Sequence, residues 1–166
     1  MLCIVGHGPS ILTGRGALID THEVVRLKRG LTPDLPRDHF GTRTDYICGT
    51  SGMYRQPDVK FWHFPEAKHS QGKWIKYYAQ FKPKIWKPSH GLSAVFCAID
   101  HLNPKQIAVI GFDRILYQDD MTSSKWNLPG HPPHPWPHCQ RAEHECLFSL
   151  GIEIIDLSKE PNGDLP

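Results

Sequence analysis

Short apolar runs alternate with segments of helical period along most of this chain. Leu2 to Gly6, Glu23 to Leu27, Asp45 to Cys48 and Val59 to Phe64 read as four strands. The clearest strand is Gln106 to Phe112. It follows a helix over Gly91 to Leu102 in which Leu92, Val95, Phe96, Ile99 and Leu102 recur at helical spacing, so the two form one crossover unit with a right-handed connection. Lys73 to Gln80 reads as a short helix. A longer one runs from about His138 to Leu150, is stopped by Gly151, and leads into a last strand at Ile152 to Ile155. From Asp113 to Pro137 lies a connection rich in Pro, Gly and polar residues, of a length that usually marks either a functional lid or a disordered segment. Strands alternating with helices predict an α/β fold with a mostly parallel sheet flanked by helices.

Composition narrows the function classes. The chain has 166 residues, which suits one domain over 1–166 with a sizeable core. With 22% charged and 39% hydrophobic residues and no run of eighteen apolar positions, it reads as a soluble globular protein. The formal charge is +2 and the 19 Lys and Arg are scattered, which argues against a dedicated nucleic-acid binder. The opening MLCIVGHGPS lacks the basic n-region and cleavage site of a signal peptide. The 5 Cys are odd in number and set mostly among apolar neighbours, the habit of buried free thiols, so a cytoplasmic location is expected.

Chemistry concentrates first at Gly6-His7-Gly8-Pro9-Ser10, where a buried strand ends in a glycine-rich turn, with Gly14 and Gly16 following. Such a turn lets backbone come close to a ligand and can present N–H groups to phosphate oxygens, and it lies at a strand's carboxyl end, where open parallel sheets bind ligands. The spacing is not that of the dinucleotide fingerprint, and the Lys of a P-loop is missing. A purely structural turn uses the same residues.

The order of three segments says more. Cys3-Ile4-Val5-Gly6-His7-Gly8-Pro9-Ser10, then Gly14, Gly16 and the stretch Ile19-Asp20-Thr21-His22-Glu23-Val24-Val25-Arg26-Leu27-Lys28-Arg29-Gly30, then Gly41-Thr42-Arg43-Thr44-Asp45, resembles the large sialylmotif of the eukaryotic-type sialyltransferase family. Pro88-Ser89-His90-Gly91, the helix after it and the strand closing on Val109-Ile110-Gly111-Phe112-Asp113 are similar to that family's small motif. His138 and Glu143, five places apart and ahead of Gly151-Ile152-Glu153-Ile154, resemble its very short motif. The three come in the family's order and span nearly the whole chain.

This resemblance implies a Rossmann-type fold, in the variant of the GT-A arrangement that sialyltransferases use, and transfer of sialic acid or a related sugar from a CMP-linked donor to a hydroxyl acceptor. It implies no metal and no cofactor beyond the nucleotide-sugar donor. Gly6, His7, Gly8, Pro9, Ser10, Lys28, Ser89, His90 and Gly91 fall at presumed donor contacts. His138 would be the general base, and an imidazole suits deprotonation of an attacking alcohol near neutral pH. His134, four residues earlier, is the competing base. Departures from the family pattern sit at His7 and Lys28, where it usually has Asn, and at His90, where it has Thr. Lys28 can bring a full charge to a phosphate, while His7 and His90 can each donate one hydrogen bond. The family's disulfide would join Cys3 to a residue near Leu102-Asn103, where there is no Cys, so the link is expected to be absent. The segment before the very short motif has no clean counterpart, and neither membrane anchor nor stem is seen. The likeness is therefore to a minimal, bacterial or phage-like catalytic core. So short a chain leaves little protein for acceptor recognition, which points to help from a partner or a homo-oligomer.

Other readings stay beside this one. A nucleotide-binding module of the same fold without catalysis fits the altered donor positions. A zinc protein would draw on His131, His134, His138, Cys139, His144 and Cys146, although their spacing matches no standard zinc pattern. Arg26 and Arg43 either touch donor phosphate or tie loops to the sheet, and Asp20, Asp45 and Asp113 read by default as caps at element edges. Of the five Trp, Trp126 and Trp136 lie in the long loop, where they can stack on a sugar or base.

Overall fold

The computed structural model describes residues 1–27, 36–49, 59–63, 74–81, 85, 88–117 and 140–160. Among these residues six strands form one sheet: β1 (Leu2–Val5), β2 (Glu23–Leu27), β3 (Tyr46–Gly49), β4 (Lys60–His63), β5 (Gln106–Ile110) and β6 (Glu153–Asp156). Their order is β4-β3-β2-β1-β5-β6 and every pairing is parallel, so the sheet expected to be mostly parallel is wholly so. β1 is central, with Ile4 level with Val25 of β2 on one side and Val109 of β5 on the other.

The apolar runs follow from this topology, because inner strands of a parallel sheet are covered on both faces and side chains alternate between them. Leu2 and Ile4 of β1 join Val25, Leu27, Ile107 and Val109 in the larger core. Cys3 and Val5 point to the other face, where Val24, Ala108 and Ile110 meet Ile11, Ile19, Phe40 and Leu157.

Eight helical segments, two of them 3-10 turns (Pro9–Leu12 and Ala79–Phe81), connect and cover the strands among the described residues. After a 3-10 turn at Pro9–Leu12 come α1 (Gly16–Asp20) and α2 (Arg37–Phe40), on the side of the smaller core. On the larger core lie α3 (Ile75–Tyr78), α4 (His90–Leu102), α5 (Asp113–Leu116) and α6 (Gln140–Ser149). α4 is the principal cover, with Leu92 to Ala98 continuously buried. Ser89 caps it by accepting a hydrogen bond from the Leu92 N–H at 3.3 Å, and Asn103 ends it at φ 45°, a left-handed turn that Asn tolerates. Gly151, at φ 70°, follows α6 as expected of a helix stop.

Most limits differ from the sequence reading by a residue or two, and the change that matters for the site falls after Ile110. β5 ends at Ile110 rather than Phe112, because Gly111 takes φ 73° and breaks the extended run. The residues directly after it, placed above at the start of a long loop, instead form the single turn α5, whose Leu116 N–H bonds back to the Phe112 carbonyl at 3.0 Å. Four residues carry no periodic signal, so α5 has no trace in the hydrophobic pattern.

Candidate active site

The strand order reverses direction between β1 and β5: β2, β3 and β4 lie to one side of β1, and β5 and β6 to the other. Such a switch point opens a crevice at the carboxyl ends of the two diverging strands. The glycine-rich turn after β1 and the Gly111-Phe112-Asp113 segment after β5 both emerge there.

The two segments are joined tightly. The Gly6 N–H donates to the Ile110 carbonyl and the Gly8 N–H to the Gly111 carbonyl, each at 2.8 Å. Asp113, only 6% exposed, accepts from the Ser10 N–H at 3.1 Å and from the Ser10 hydroxyl at 2.8 Å, and that hydroxyl accepts from the Gly111 N–H at 2.9 Å. The glycines are required by this contact. A Cβ on Gly6 would stand 2.4 Å from the Gly111 carbonyl oxygen, and one on Gly8 would stand 2.1 Å from Asp113 Oδ2. The N–H groups of Gly6, Gly8 and Ser10 are therefore engaged within the protein. His7, between the two glycines, is half-buried with its Nε2 shut from solvent.

On the other side of the same segment stands the entrance to α4. A Cβ on Gly91 would meet the Phe112 ring at 3.2 Å and Ile115 at 3.3 Å, so glycine lets the helix start pack on α5. The residues between Gly111 and Ile115 thus touch both the glycine turn and the Pro88-Ser89-His90-Gly91 segment. His90 is half-buried at the head of α4.

Glu143 meets that entrance from α6. Its side chain is 2% exposed, in the buried stripe Ala142, Glu143, Cys146, Leu147, and its Oε1 accepts the Ser89 N–H at 2.5 Å. Burial raises its carboxyl to about 7, against the opposing pull of the Ser89 N–H and hydroxyl and of Arg114. The next residue, His144, donates its Nδ1–H to the Ile115 carbonyl at 2.9 Å, a tautomer fixed because a carbonyl can only accept. Two motifs far apart in sequence, around Ser89 and Glu143, are thus in direct contact.

Of the expected donor contacts, Gly6, His7, Gly8, Pro9 and Ser10 follow the carboxyl end of β1, and Ser89, His90 and Gly91 lie where α4 begins. Lys28, His134 and His138 lie outside the described residues, as do His131, Cys139, Trp126 and Trp136. Two of the six candidate zinc ligands have protein partners: His144 as above, and Cys146, whose thiol donates to the Tyr77 carbonyl at 3.5 Å. Among the described residues no group of three or more His, Cys, Asp or Glu is placed to hold a metal ion.

The arginines tie loops. Arg26, 5% exposed, donates to the Phe40 carbonyl at 2.7 Å, to the Arg43 carbonyl at 3.0 Å and to the Thr44 hydroxyl at 2.9 Å, while Arg43 pairs with Asp45 at 2.8 Å. Asp20 accepts the N–H groups of Thr42 and Arg43 at 2.7 and 2.8 Å, so like Asp113 it ties its own helix to a segment distant in sequence rather than capping a helix. Partial burial would raise its carboxyl, but these N–H donors and the Thr42 hydroxyl outweigh that and hold it below the usual range.

A shallow depression of about 660 Å³ lies at the opposite end of the sheet between Leu2, Glu23, Leu102, Gln106 and Glu153. It sits at the amino ends of the strands, away from the switch point, and carries none of the expected site residues.

The sequence reading names Glu143 in the very-short-motif resemblance and Asp113 at the end of the small-motif one, but gives neither a place in the site. For Glu143 there is a signal: a carboxylate three and four residues ahead of Cys146 and Leu147 interrupts an apolar helix stripe. For Asp113 there is none, since its partner Ser10 is more than a hundred residues away.

No protein-family model and no curated protein matches the sequence. Among solved structures, the chain is similar to a mammalian sialyltransferase crystallised with Gal-beta-1-3GalNAc-ortho-nitrophenol. The TM-score is 0.50 at 13% identity, over 93% of this chain and 68% of that one. At that identity the likeness is one of fold. No helix among the described residues is long and apolar enough to cross a membrane.

Proposed function

We propose that the crevice between the ends of β1 and β5 holds a nucleotide sugar, and that the chain is a glycosyltransferase domain of sialyltransferase type. The observation that carries this reading is the meeting, at the sheet's switch point, of the glycine turn with the segment leading from β5 to the head of α4. The fold likeness to a sialyltransferase supports it.

In the proposed reaction the acceptor hydroxyl oxygen attacks the anomeric carbon of the donor sugar. The bond from that carbon to the phosphate oxygen breaks, CMP departs with the electron pair, and the imidazole of His138 takes the hydroxyl proton. His134 is the competing base. The turn's amides at Gly6, Gly8 and Ser10 are already bonded within the protein, so the phosphate falls to side chains: Lys28 as a full charge, His7 and His90 as hydrogen-bond donors. No cofactor is invoked beyond the donor.

The same fold serving as a nucleotide-binding module without catalysis is the second reading, favoured by those engaged amides. Release of CMP from CMP-sialic acid in the presence of glycan acceptors separates the two. The proposal expects turnover, a loss of roughly 10²- to 10⁴-fold in His138→Ala, and nucleotide affinity kept in that variant. Cytidine nucleotide binding without turnover on any acceptor would favour the module. Normal turnover in His138→Ala with loss in His134→Ala would move the base.

A further inference from the structure

We infer that Glu143 is a positioning residue of the nucleotide crevice: it fixes the Ser89 amide and thereby sets the entrance of α4 over the bound ligand. The inference rests on the nucleotide-binding reading above.

A buried carboxylate is costly to keep, and an apolar side chain of similar volume would pack the same helix stripe without that cost. What the carboxylate adds is direction. Its Oε1 takes the Ser89 N–H at 2.5 Å, at the residue that also caps α4 through the Leu92 N–H. Ser89 N–H is the point where the chain turns from Pro88 into the thirteen-residue helix. α6 is itself anchored to α5 through the bond from His144 to the Ile115 carbonyl, and Ile115 is in contact range of Gly91. Glu143 therefore closes a ring of contacts through α6, α5 and the head of α4. With the acceptor removed, α6 still packs through Ala142, Cys146 and Leu147, but the Pro88–Gly91 segment loses its fixed direction.

The test compares Glu143→Leu, which fills the space without an acceptor, with Glu143→Gln, whose amide oxygen still accepts the Ser89 N–H. Cytidine monophosphate affinity is measured by calorimetry and melting is recorded in parallel. The expected result is a Kd at least about tenfold weaker in Glu143→Leu, with melting within about 5 °C of the parent, and an affinity within about threefold of the parent in Glu143→Gln. Equal affinity in Glu143→Leu and parent overturns the inference while leaving the nucleotide reading intact. Equal losses in both variants overturn it too, because the negative charge and not the placed acceptor would then matter. A parent protein that binds no nucleotide overturns the inference together with the reading beneath it.

If Glu143→Leu fails to fold, Ser89→Pro and Ser89→Ala decide the question. Both lose the capping hydroxyl, but only proline lacks the N–H, and Ser89 already has a φ of −59° that proline adopts. Binding at least about tenfold weaker in Ser89→Pro than in Ser89→Ala is expected. Equal binding in the two overturns the inference.

Discussion

Replacing Asp113 by alanine removes the acceptor that closes the glycine turn on β5. In the native protein its carboxylate takes the Ser10 N–H at 3.1 Å and the Ser10 hydroxyl at 2.8 Å, in a site where Asp113 is 6% exposed. Hydrogen bonds to a charged group contribute about 1.5–3 kcal/mol, and a buried donor left without an acceptor costs about 1–3 kcal/mol. Those two contributions overlap, since the orphaned N–H is part of the lost bond, so the expected loss is about 3 kcal/mol. For a chain of this size, at about 2–4 °C per kcal/mol, melting should fall by about 6–12 °C. Urea denaturation of the parent, Asp113→Ala, Ser10→Ala and the double variant gives the pairwise coupling, expected at about 1–2 kcal/mol. A loss below about 0.5 kcal/mol in Asp113→Ala, or a coupling indistinguishable from zero, would refute the claim that this pair holds the crevice floor.

Gly6→Ala should be destabilising by roughly 1–3 kcal/mol or more, because the new Cβ meets the Gly111 carbonyl oxygen at 2.4 Å and that oxygen is backbone and cannot swing aside; chemical denaturation reads the loss. Glu143 makes stability depend on pH. Its folded-state value of about 7 lies above the usual 4.5, so between those values the native state holds a proton that the unfolded chain has released. Stability from this group is full below about pH 4.5 and is lost as pH rises toward and past 7, by about 3 kcal/mol in total. Glu143→Gln should abolish that slope, so its stability relative to the parent rises from pH 5 to pH 7.5; a constant difference contradicts the assignment. Cys3, Cys48, Cys97 and Cys146 are buried free thiols, and burial pushes Cys3 and Cys146 up to about 12. A thiol reagent should count 5 groups in denatured protein without reductant and leave these four unreacted in the native state.

The strands are legible in the sequence because a central parallel strand must be apolar on both faces. Cys3-Ile4-Val5 and Ile107-Ala108-Val109-Ile110 can hardly be read otherwise, and each expected strand falls within two residues of its observed limits. α4 is legible for the same reason at helical period. Single turns are not: α1, α2 and α5 have four or five residues each, none with a side-chain cap at its start, and are set by contact with distant loops. The site is half legible. Its glycines announce a close approach, but the sequence does not say that the approach is to Gly111 and Asp113 rather than to a phosphate. Glu143 stands out as a charge in an apolar stripe, yet its partner Ser89 is 54 residues away and only the fold brings them together.

The central claim is that the switch-point crevice takes a cytidine nucleotide. Calorimetric titration of the parent protein with cytidine, uridine, guanosine and adenosine monophosphates tests it most directly. The account predicts saturable binding of cytidine monophosphate at least about tenfold tighter than the other three, a difference of about 1.4 kcal/mol. Equal affinity for all four, or no binding of the cytidine nucleotide, would contradict it.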